Sequence, residues 1–411
     1  MNSLACISRL LAVCVLSAAL TGCSDDVAPK PEGPGDGFIT ATLGQRIEHN
    51  NEFAFKLYEE LSSSGDNLLV SPHSIATTFG MAYAGARGTT EKEIADVLCF
   101  NYPQDGFHSV LSQLNNLLVS REGLELNIAN GCWGRDGETY LTPFLDTLSV
   151  HYGAELELLD FAGHPEESRE TINQWVSQQT EGLITGLIPP GSIDWQTYLV
   201  LANAVYFSAE WLRQFEPAYT YPAAFTLLDG SEVQVQMMRG EETFPYYEGK
   251  GYTAVELPYK GEAISMVLIL PDEGNFAAFE ASFDAAVLDK VVASLEDTWI
   301  TVQLPKFSFL SDFDLIPTLK AMGMTEAFEA GGADFSGMDG TDDGAPWISV
   351  VAHKAFISLD EFGTLAAAGT GMVLTKGLHD SFHAVRPFIL AIRDNETGTI
   401  LFLGRVLNPN A

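Results

Sequence analysis

Basic residues are scarce in this chain. Lysine and arginine together number 21 against 55 aspartates and glutamates, for a formal net charge of -34. A surface of that sign repels phosphate backbones, which excludes nucleic acid as a partner. Cysteine is sparse as well: of the five, Cys6, Cys14 and Cys23 crowd into the first 23 residues, leaving Cys99 and Cys132 for the rest. Two cysteines make neither a disulfide framework nor a zinc spacing. The apolar run over residues 10–20 is shorter than the ~20 residues that span a bilayer. Also missing are a Gly-x-Ser-x-Gly elbow, a phosphate-binding glycine loop and a His-Glu-x-x-His motif, so no enzyme class is indicated. His379 and His383 lie in a loop and read as incidental rather than as metal ligands. No cofactor is implied, and there is no internal repeat.

What is present begins at the N-terminus. Arg9 supplies a positive start, the apolar run follows, and Leu20-Thr-Gly-Cys23 closes it. That tetrapeptide, directly after the apolar run, resembles the bacterial lipoprotein box. The resemblance implies a signal peptide over 1–23, with Cys23 lipidated on its thiol as the mature N-terminus. Residues 24–37 are polar and rich in proline and glycine, which predicts a disordered tether holding the next domain off a membrane. Ser24-Asp25-Asp26 is similar to the acidic export signals of some Gram-negative surface lipoproteins. The expected location is the cell envelope, at the outer membrane or surface of a Gram-negative bacterium, reached through a lipid anchor.

Residues 38–411 carry helix and strand signals without a clear interior linker, which predicts one large α+β domain. Ile47, Ala54, Leu57, Tyr58 and Leu61 recur at helical spacing, so a first helix is expected near 44–62. A short buried strand at 67–71 ends at Pro72, which suits a helix start, and a small-residue helix able to pack deep in a core continues over 74–84. A helix over 89–98 opens on acidic residues, as N-termini prefer. Strands are expected at 124–133, 155–161, 199–207 and 300–309, helices from Thr142 and over 165–180, and a hairpin at 253–258 and 264–270 around Gly261. Cys99, in Val97-Leu-Cys-Phe100, reads as a small buried hydrophobe, and pairing with Cys132 stays open.

The most informative segment is Asp360-Glu-Phe-Gly-Thr-Leu-Ala-Ala-Ala-Gly-Thr-Gly371. Alanine and glycine form strands poorly, and Gly363, Gly369 and Gly371 oppose a helix. Yet a strong strand signal over 347–359 precedes the run, and two more, at 382–385 and 388–392, follow it. As a strand the run would present Thr364, Ala366, Ala368, Thr370 and Met372 on one face, with Leu365, Ala367, Gly369, Gly371 and Val373 on the other. Small side chains there could slide between existing strands, where a buried charge or a proline would obstruct them.

Ordered motifs then point to one family. Asn67-Leu-Leu-Val-Ser-Pro-His-Ser-Ile75 leads to Gly85-Ala-Arg-Gly-Thr-Thr90 and then to Ile172-Asn-Gln-Trp-Val-Ser-Gln-Gln-Thr-Glu-Gly182. Leu199-Val-Leu-Ala-Asn-Ala-Val-Tyr-Phe207 precedes Trp211, with Phe215, Pro217, Thr220 and Phe225 at family spacing. Val255-Glu-Leu-Pro-Tyr259, Leu304-Pro-Lys-Phe307, Asp334-Phe-Ser-Gly-Met338, Arg386-Pro-Phe388 and Phe402-Leu-Gly-Arg-Val406 complete the order. From about Glu48 to Pro409 the chain resembles the serpins.

The resemblance implies the serpin fold, about nine helices around three β-sheets with an exposed reactive loop, acting as a monomer. It also implies a suicide inhibitor of serine proteases, with cysteine proteases as further targets, whose loop is cut and then inserts as a strand. The hinge would be Glu361, Gly363, Thr364, Ala366, Ala367, Ala368, Gly369 and Thr370. Ser71, Ser74, Asn203 and His353 would form a polar cluster where the sheet parts, with Trp211 at the top of the opening. Phe362 and Leu365 stand where the family often carries acidic residues. Counting along the loop from Glu361 points to Gly377, and counting back from Pro387 points to Lys376. Lys376-Gly377 is the favoured bond, because Lys376 would fill the acidic pocket of a trypsin-like enzyme. Leu374 and Leu378 are alternatives, and a non-inhibitory surface carrier is the alternative function.

Overall fold

All 14 residues of one helix, Pro72–Gly85, are buried. Its small and aromatic side chains are apolar around most of the circumference, which suits a helix enclosed on every side. The rest of the fold is arranged around it. A computed structural model describes residues 36–121, 124–341, 346–364 and 380–411.

In chain order the first elements are α1 (Asp36–Leu61), β1 (Leu68–Val70), α2 (Pro72–Gly85), α3 (Gly88–Leu98), α4 (Gln104–Val119), β2 (Leu124–Arg135), α5 (Thr142–Tyr152), β3 (Glu157–Leu159) and α6 (Pro165–Gln179). Next come β4 (Leu199–Glu210), β5 (Tyr221–Thr226), β6 (Glu232–Gly249), β7 (Tyr252–Pro258), β8 (Ile264–Pro271), α7 (Phe276–Glu280) and α8 (Ala285–Ser294). The chain continues through β9 (Glu296–Pro305), β10 (Phe307–Asp314), α9 (Leu315–Ala321), α10 (Ser336–Asp339), β11 (Ile348–Leu359), β12 (Gly363–Thr364), β13 (Ser381–His383), β14 (Phe388–Asp394) and β15 (Ile400–Val406).

The strands form two hydrogen-bonded sheets among the described residues. A nine-stranded sheet runs β1-β15-β14-β8-β7-β6-β9-β13, with β5 added to β6. A six-stranded sheet runs β10-β11-β12-β4-β2-β3. Three sheets were expected, and the 18-residue β6 is why two of them are continuous: it pairs with β5, with β9 and with β7 along its length. The helix α2 packs between the sheets, touching β2 and β4 on one side and β15 on the other.

Several expectations needed adjustment. The first helix starts at Asp36, earlier than the core-facing pattern suggested, and so takes in the last two residues assigned to the tether. The single strand expected over 300–309 is two strands in different sheets, broken at Lys306. Pro305, which has no N–H to donate, ends β9 opposite Met237. Cys99 and Cys132 are both buried and free, and Cys99 closes α3 in the left-handed conformation at φ 57°.

In the six-stranded sheet, β4 and β11 are parallel neighbours from Ile348↔Leu199 to Phe356↔Tyr206. Nearly all of β4 is buried, as for a strand covered on both faces. Beyond Phe356 the two strands diverge, and the candidate site lies where they do.

Candidate functional site

At the end of β11 the chain reverses. The Asp360 N–H donates to the Gly363 carbonyl at 3.0 Å, and the Phe362 N–H donates to Asp360 Oδ1 at 2.9 Å, an aspartate-stabilised turn. The chain then re-enters the sheet as β12, antiparallel to both neighbours: Thr364 pairs with Leu359 on β11 and with Ala209 on β4. Two residues of the small-residue run are thus already seated between β11 and β4.

Only glycine fits at the first of them. Gly363 has φ +155°, and a Cβ there would lie 2.1 Å from the Ala209 carbonyl oxygen and 2.8 Å from Glu210 Cα. Both are backbone atoms, which cannot swing aside. Thr364 is fully buried, with its hydroxyl 2.9 Å from that of Tyr259. Burial pushes the Tyr259 phenol far up, so it stays a neutral hydrogen-bonding partner.

The turn is clamped from the side by Trp211, whose ring stacks on Tyr259 with centroids 4.5 Å apart. Its indole N–H donates to the Asp360 carbonyl at 3.0 Å, and its backbone N–H donates to the Phe362 carbonyl at 2.9 Å. Glu361 is only 5% exposed. The Thr220 hydroxyl donates to its Oε1 at 2.7 Å, and Lys306 Nζ donates to Oε2 at 2.6 Å. Burial pulls this carboxyl upward, but the hydrogen bonds from Lys306 and Thr220 outweigh it and hold the group below the usual glutamate range.

Further down, where β4 and β11 still pair directly, lies a buried polar network. Asn203 on β4 stands opposite His353 on β11 and opposite Asn130 on β2. Its amide nitrogen faces Ser74 Oγ at 2.5 Å, Thr78 Oγ1 at 3.0 Å and Asn130 Oδ1 at 2.6 Å. Its carbonyl oxygen accepts from His353 Nδ1. Thr78 Oγ1 donates to Asn130 Oδ1 at 2.9 Å. That tautomer leaves His353 Nε2 without a partner among the described residues, and burial pushes the imidazole down to about 3. A neutral, closed network therefore ties α2 to three adjacent strands at the seam.

The family model described as serpin (serine protease inhibitor) matches residues 48–409. This chain belongs to the serpin family. It is 36% identical to an uncharacterized serpin-like protein of Thermococcus kodakarensis, over 97% of this chain and 98% of that one. It is 37% identical to antithrombin-III of Mus musculus, over 88% of this chain and 81% of that one. A thyroxine-binding globulin solved in complex with thyroxine superposes with a TM-score of 0.81 and 31% identity, covering 89% of this serpin and all of that chain. Members of the family are in general protease inhibitors rather than enzymes, and they bind target proteases.

The serpin fold brings Ser74, Asn203 and His353 into one network and sets Trp211 against the turn. Ser71 is buried as the N-cap of α2, but its side chain makes no capping bond. Of the residues expected in the hinge, Glu361 lies in the turn after β11, and Gly363 and Thr364 form β12. Ala366, Ala367, Ala368, Gly369, Thr370, Leu374, Lys376, Gly377 and Leu378 lie outside the described residues, as does Cys23. Sequence reasoning missed Thr78 and Asn130 in the network and Tyr259, Thr220 and Lys306 beside the turn. Thr78 falls four residues after Ser74 on the same helix, a spacing that shares a face. Asn130 is a polar residue inside a run read as a strand, and a polar side chain facing a core needs a partner. Tyr259, Thr220 and Lys306 stand in or beside family motifs, but their partner Glu361 is distant in sequence.

Proposed function

We propose that this serpin is an irreversible suicide inhibitor of serine proteases. The target's serine oxygen attacks the carbonyl carbon of Lys376, the Lys376-Gly377 amide breaks, and the amine of Gly377 leaves with the proton taken from the serine. An ester then joins protease and loop. The freed strand inserts between β4 and β11 and carries the acyl-enzyme away before water can cleave the ester. Sixteen residues from Glu361 to Lys376 extend about 50 Å at ~3.3 Å each, a distance comparable with the length of a domain.

The observation that carries this reading is the seating of Gly363 and Thr364 as β12, antiparallel to both neighbours. A strand continuing from Thr364 in the same direction would extend between β4 and β11, which supports the reading. Lys376 favours a trypsin-like target, with Leu374 and Leu378 as secondary positions for chymotrypsin-like enzymes. Cysteine proteases are further candidates, since they form an analogous thioester. The proposed setting is the cell envelope of a Gram-negative bacterium, with Cys23 lipidated and residues 24–35 as spacer.

Incubation with trypsin should give a complex that survives boiling in detergent, with the loop cut after Lys376. Thr364→Arg should turn the inhibitor into a substrate, because a guanidinium cannot follow into the fully buried position that Thr364 occupies. Clean cleavage of the parent chain without a complex rejects the proposal. Two observations favour a non-inhibitory carrier instead: Phe362 and Leu365 depart from the family's acidic hinge pattern, and a similar structure is a thyroxine-binding globulin. A carrier would show no rise in melting temperature after the loop is cut.

A further inference from the structure

A lysine, a cysteine and a glutamate meet where α1 passes the end of α3. Lys56 Nζ on α1 donates to Cys99 Sγ at 3.3 Å and to Glu52 Oε1, one turn earlier, at 2.8 Å. Cys99 is 2% exposed, but its polar contact is a lysine whose side chain is 47% exposed, long and free to swing aside. Cys132 on β2 is enclosed on every side, and burial alone pushes its thiol up to about 12.

A second observation sets Cys99 apart from an inert buried thiol. Arg46, also on α1, is fully buried, and none of its three guanidinium nitrogens has a hydrogen-bond partner among the described residues. The guanidinium lies over the rings of Phe100 and Phe107, at 5.1 and 5.6 Å. A buried cation without a carboxylate calls for an anion, and the ionisable groups within reach of its charge are Tyr152, Cys99 and Tyr102. A thiol is more acidic than a phenol, so Cys99 is the group that can answer. Burial still holds this thiol above its ordinary range, with the Lys56 charge pulling the other way. The thiolate therefore forms in small amount, and the sulfur reacts slowly.

We propose that Cys99 and Lys56 form a peroxide-driven crosslinking site, in which the oxidised sulfur is captured by the lysine amine as a sulfenamide. The Cys99 thiolate attacks one oxygen of hydrogen peroxide and the O–O bond breaks. Sulfur gives up two electrons to become S–OH, and the other oxygen leaves as water. Glu52 takes a proton from the Lys56 ammonium. The freed lone pair attacks the sulfur, the S–O bond breaks, and hydroxide leaves as water with a second proton from the nitrogen. At 3.3 Å the nitrogen already stands at the separation of a reacting pair. Oxidation past S–OH needs a second peroxide, whereas the amine is in place.

The new bond closes a loop from Lys56 to Cys99 that contains β1, α2 and nearly all of the chain of α3. Both α1 and α3 pack on α2, the enclosed helix that supplies Ser74 and Thr78 to the Asn203 network. The crosslink therefore fastens the helices around α2 by a covalent tie, and closing so long a loop restricts the unfolded chain.

Treatment of the whole protein with hydrogen peroxide, then digestion with a glutamate-specific protease and mass spectrometry, tests the site. The expected product is a linked pair of peptides carrying Lys56 and Cys99, lighter by two hydrogens than their sum, which dithiothreitol returns to the free pair. Cys132 should stay unmodified. Lys56→Arg keeps the charge at a half-exposed position but removes the amine, so it should give no link and let Cys99 pass on to the sulfinic acid. In the parent, a Cys99 thiol still free under prolonged excess peroxide, sulfinic acid without a link, or a linked pair that retains an oxygen overturns the sulfenamide. Oxidation of Cys132 as fast as Cys99 overturns the part given to Lys56 and Arg46. The linked form should melt about 5 °C above the reduced form and lose that gain in dithiothreitol. Equal melting temperatures overturn the crosslink as a stabilising tie.

Discussion

Gly363 is the position at which a single methyl group decides whether β12 can sit between β4 and β11. With φ at +155° and a Cβ 2.1 Å from a backbone oxygen, Gly363→Ala costs about 1–3 kcal/mol in the seated form. The strain can be relieved by withdrawing β12 from the sheet. The intact variant should therefore melt at a lower temperature, and Trp211, which clamps this turn, should change its fluorescence. An unchanged melt and emission would show that the seating does not matter to stability. Glu361 next to it makes a second, electrostatic hold. Its folded value lies below the ordinary ~4.3, so this stability is present above that range and lost as pH falls through the folded value. Lys306→Met removes the cation at 2.6 Å. Lys306 is 37% exposed, so the expected loss is about 1 kcal/mol rather than that of a fully buried pair. Melting curves between pH 3 and 7 should show the acid-dependent step displaced to higher pH in the variant.

At the scale of elements, the seam between β4 and β11 is held by backbone pairing and by the amide of Asn203. Asn203→Ala leaves the His353 Nδ1–H and the Asn130 carbonyl oxygen buried with fewer partners, at about 1–3 kcal/mol for a group left unsatisfied. The intact form should lose stability and convert more readily to an inserted state, followed as spontaneous loss of inhibitory capacity on warming. Equal lifetimes for parent and variant would remove the network from the mechanism. The elements themselves were largely legible. The strand-proline-helix start at Pro72, the hairpin around Gly261 and the buried run of β4 follow from local pattern alone. Helix α4 was not read from the sequence, although Phe107, Leu111, Leu114 and Leu118 recur at helical spacing and are buried. What was not legible is pairing between distant segments. Apolar residues continue across Lys306, so hydropathy cannot say that β9 and β10 serve different sheets, and no local pattern announces that Glu361 will meet Lys306 and Thr220. Gly363 was singled out as a helix breaker, whereas the structure requires it for close approach to β4.

At the scale of the whole molecule, acid sensitivity follows from histidines that the fold keeps neutral. Burial pushes His73 and His108 down to about 4 and His353 to about 3, against ~6.5 in an unfolded chain. Between the folded and unfolded values the unfolded chain binds more protons, so stability rises with pH across that window and falls as the medium is acidified below ~6.5. Shifts of this size correspond to roughly 3–5 kcal/mol each at the acid end of the window. The opposing effect is relief of self-repulsion from the net charge of -34, but most carboxylates titrate near pH 4, so between pH 7 and 5 the histidines should dominate. The melting midpoint of the intact form should therefore decline steadily from pH 7 to pH 5, at a salt concentration high enough to screen the surface charge. His108→Phe should flatten part of that decline, since it removes one of the three groups without touching the seam or the hinge. A midpoint that stays level or rises on acidification would mean that surface charge, rather than buried imidazole, governs how this fold responds to pH.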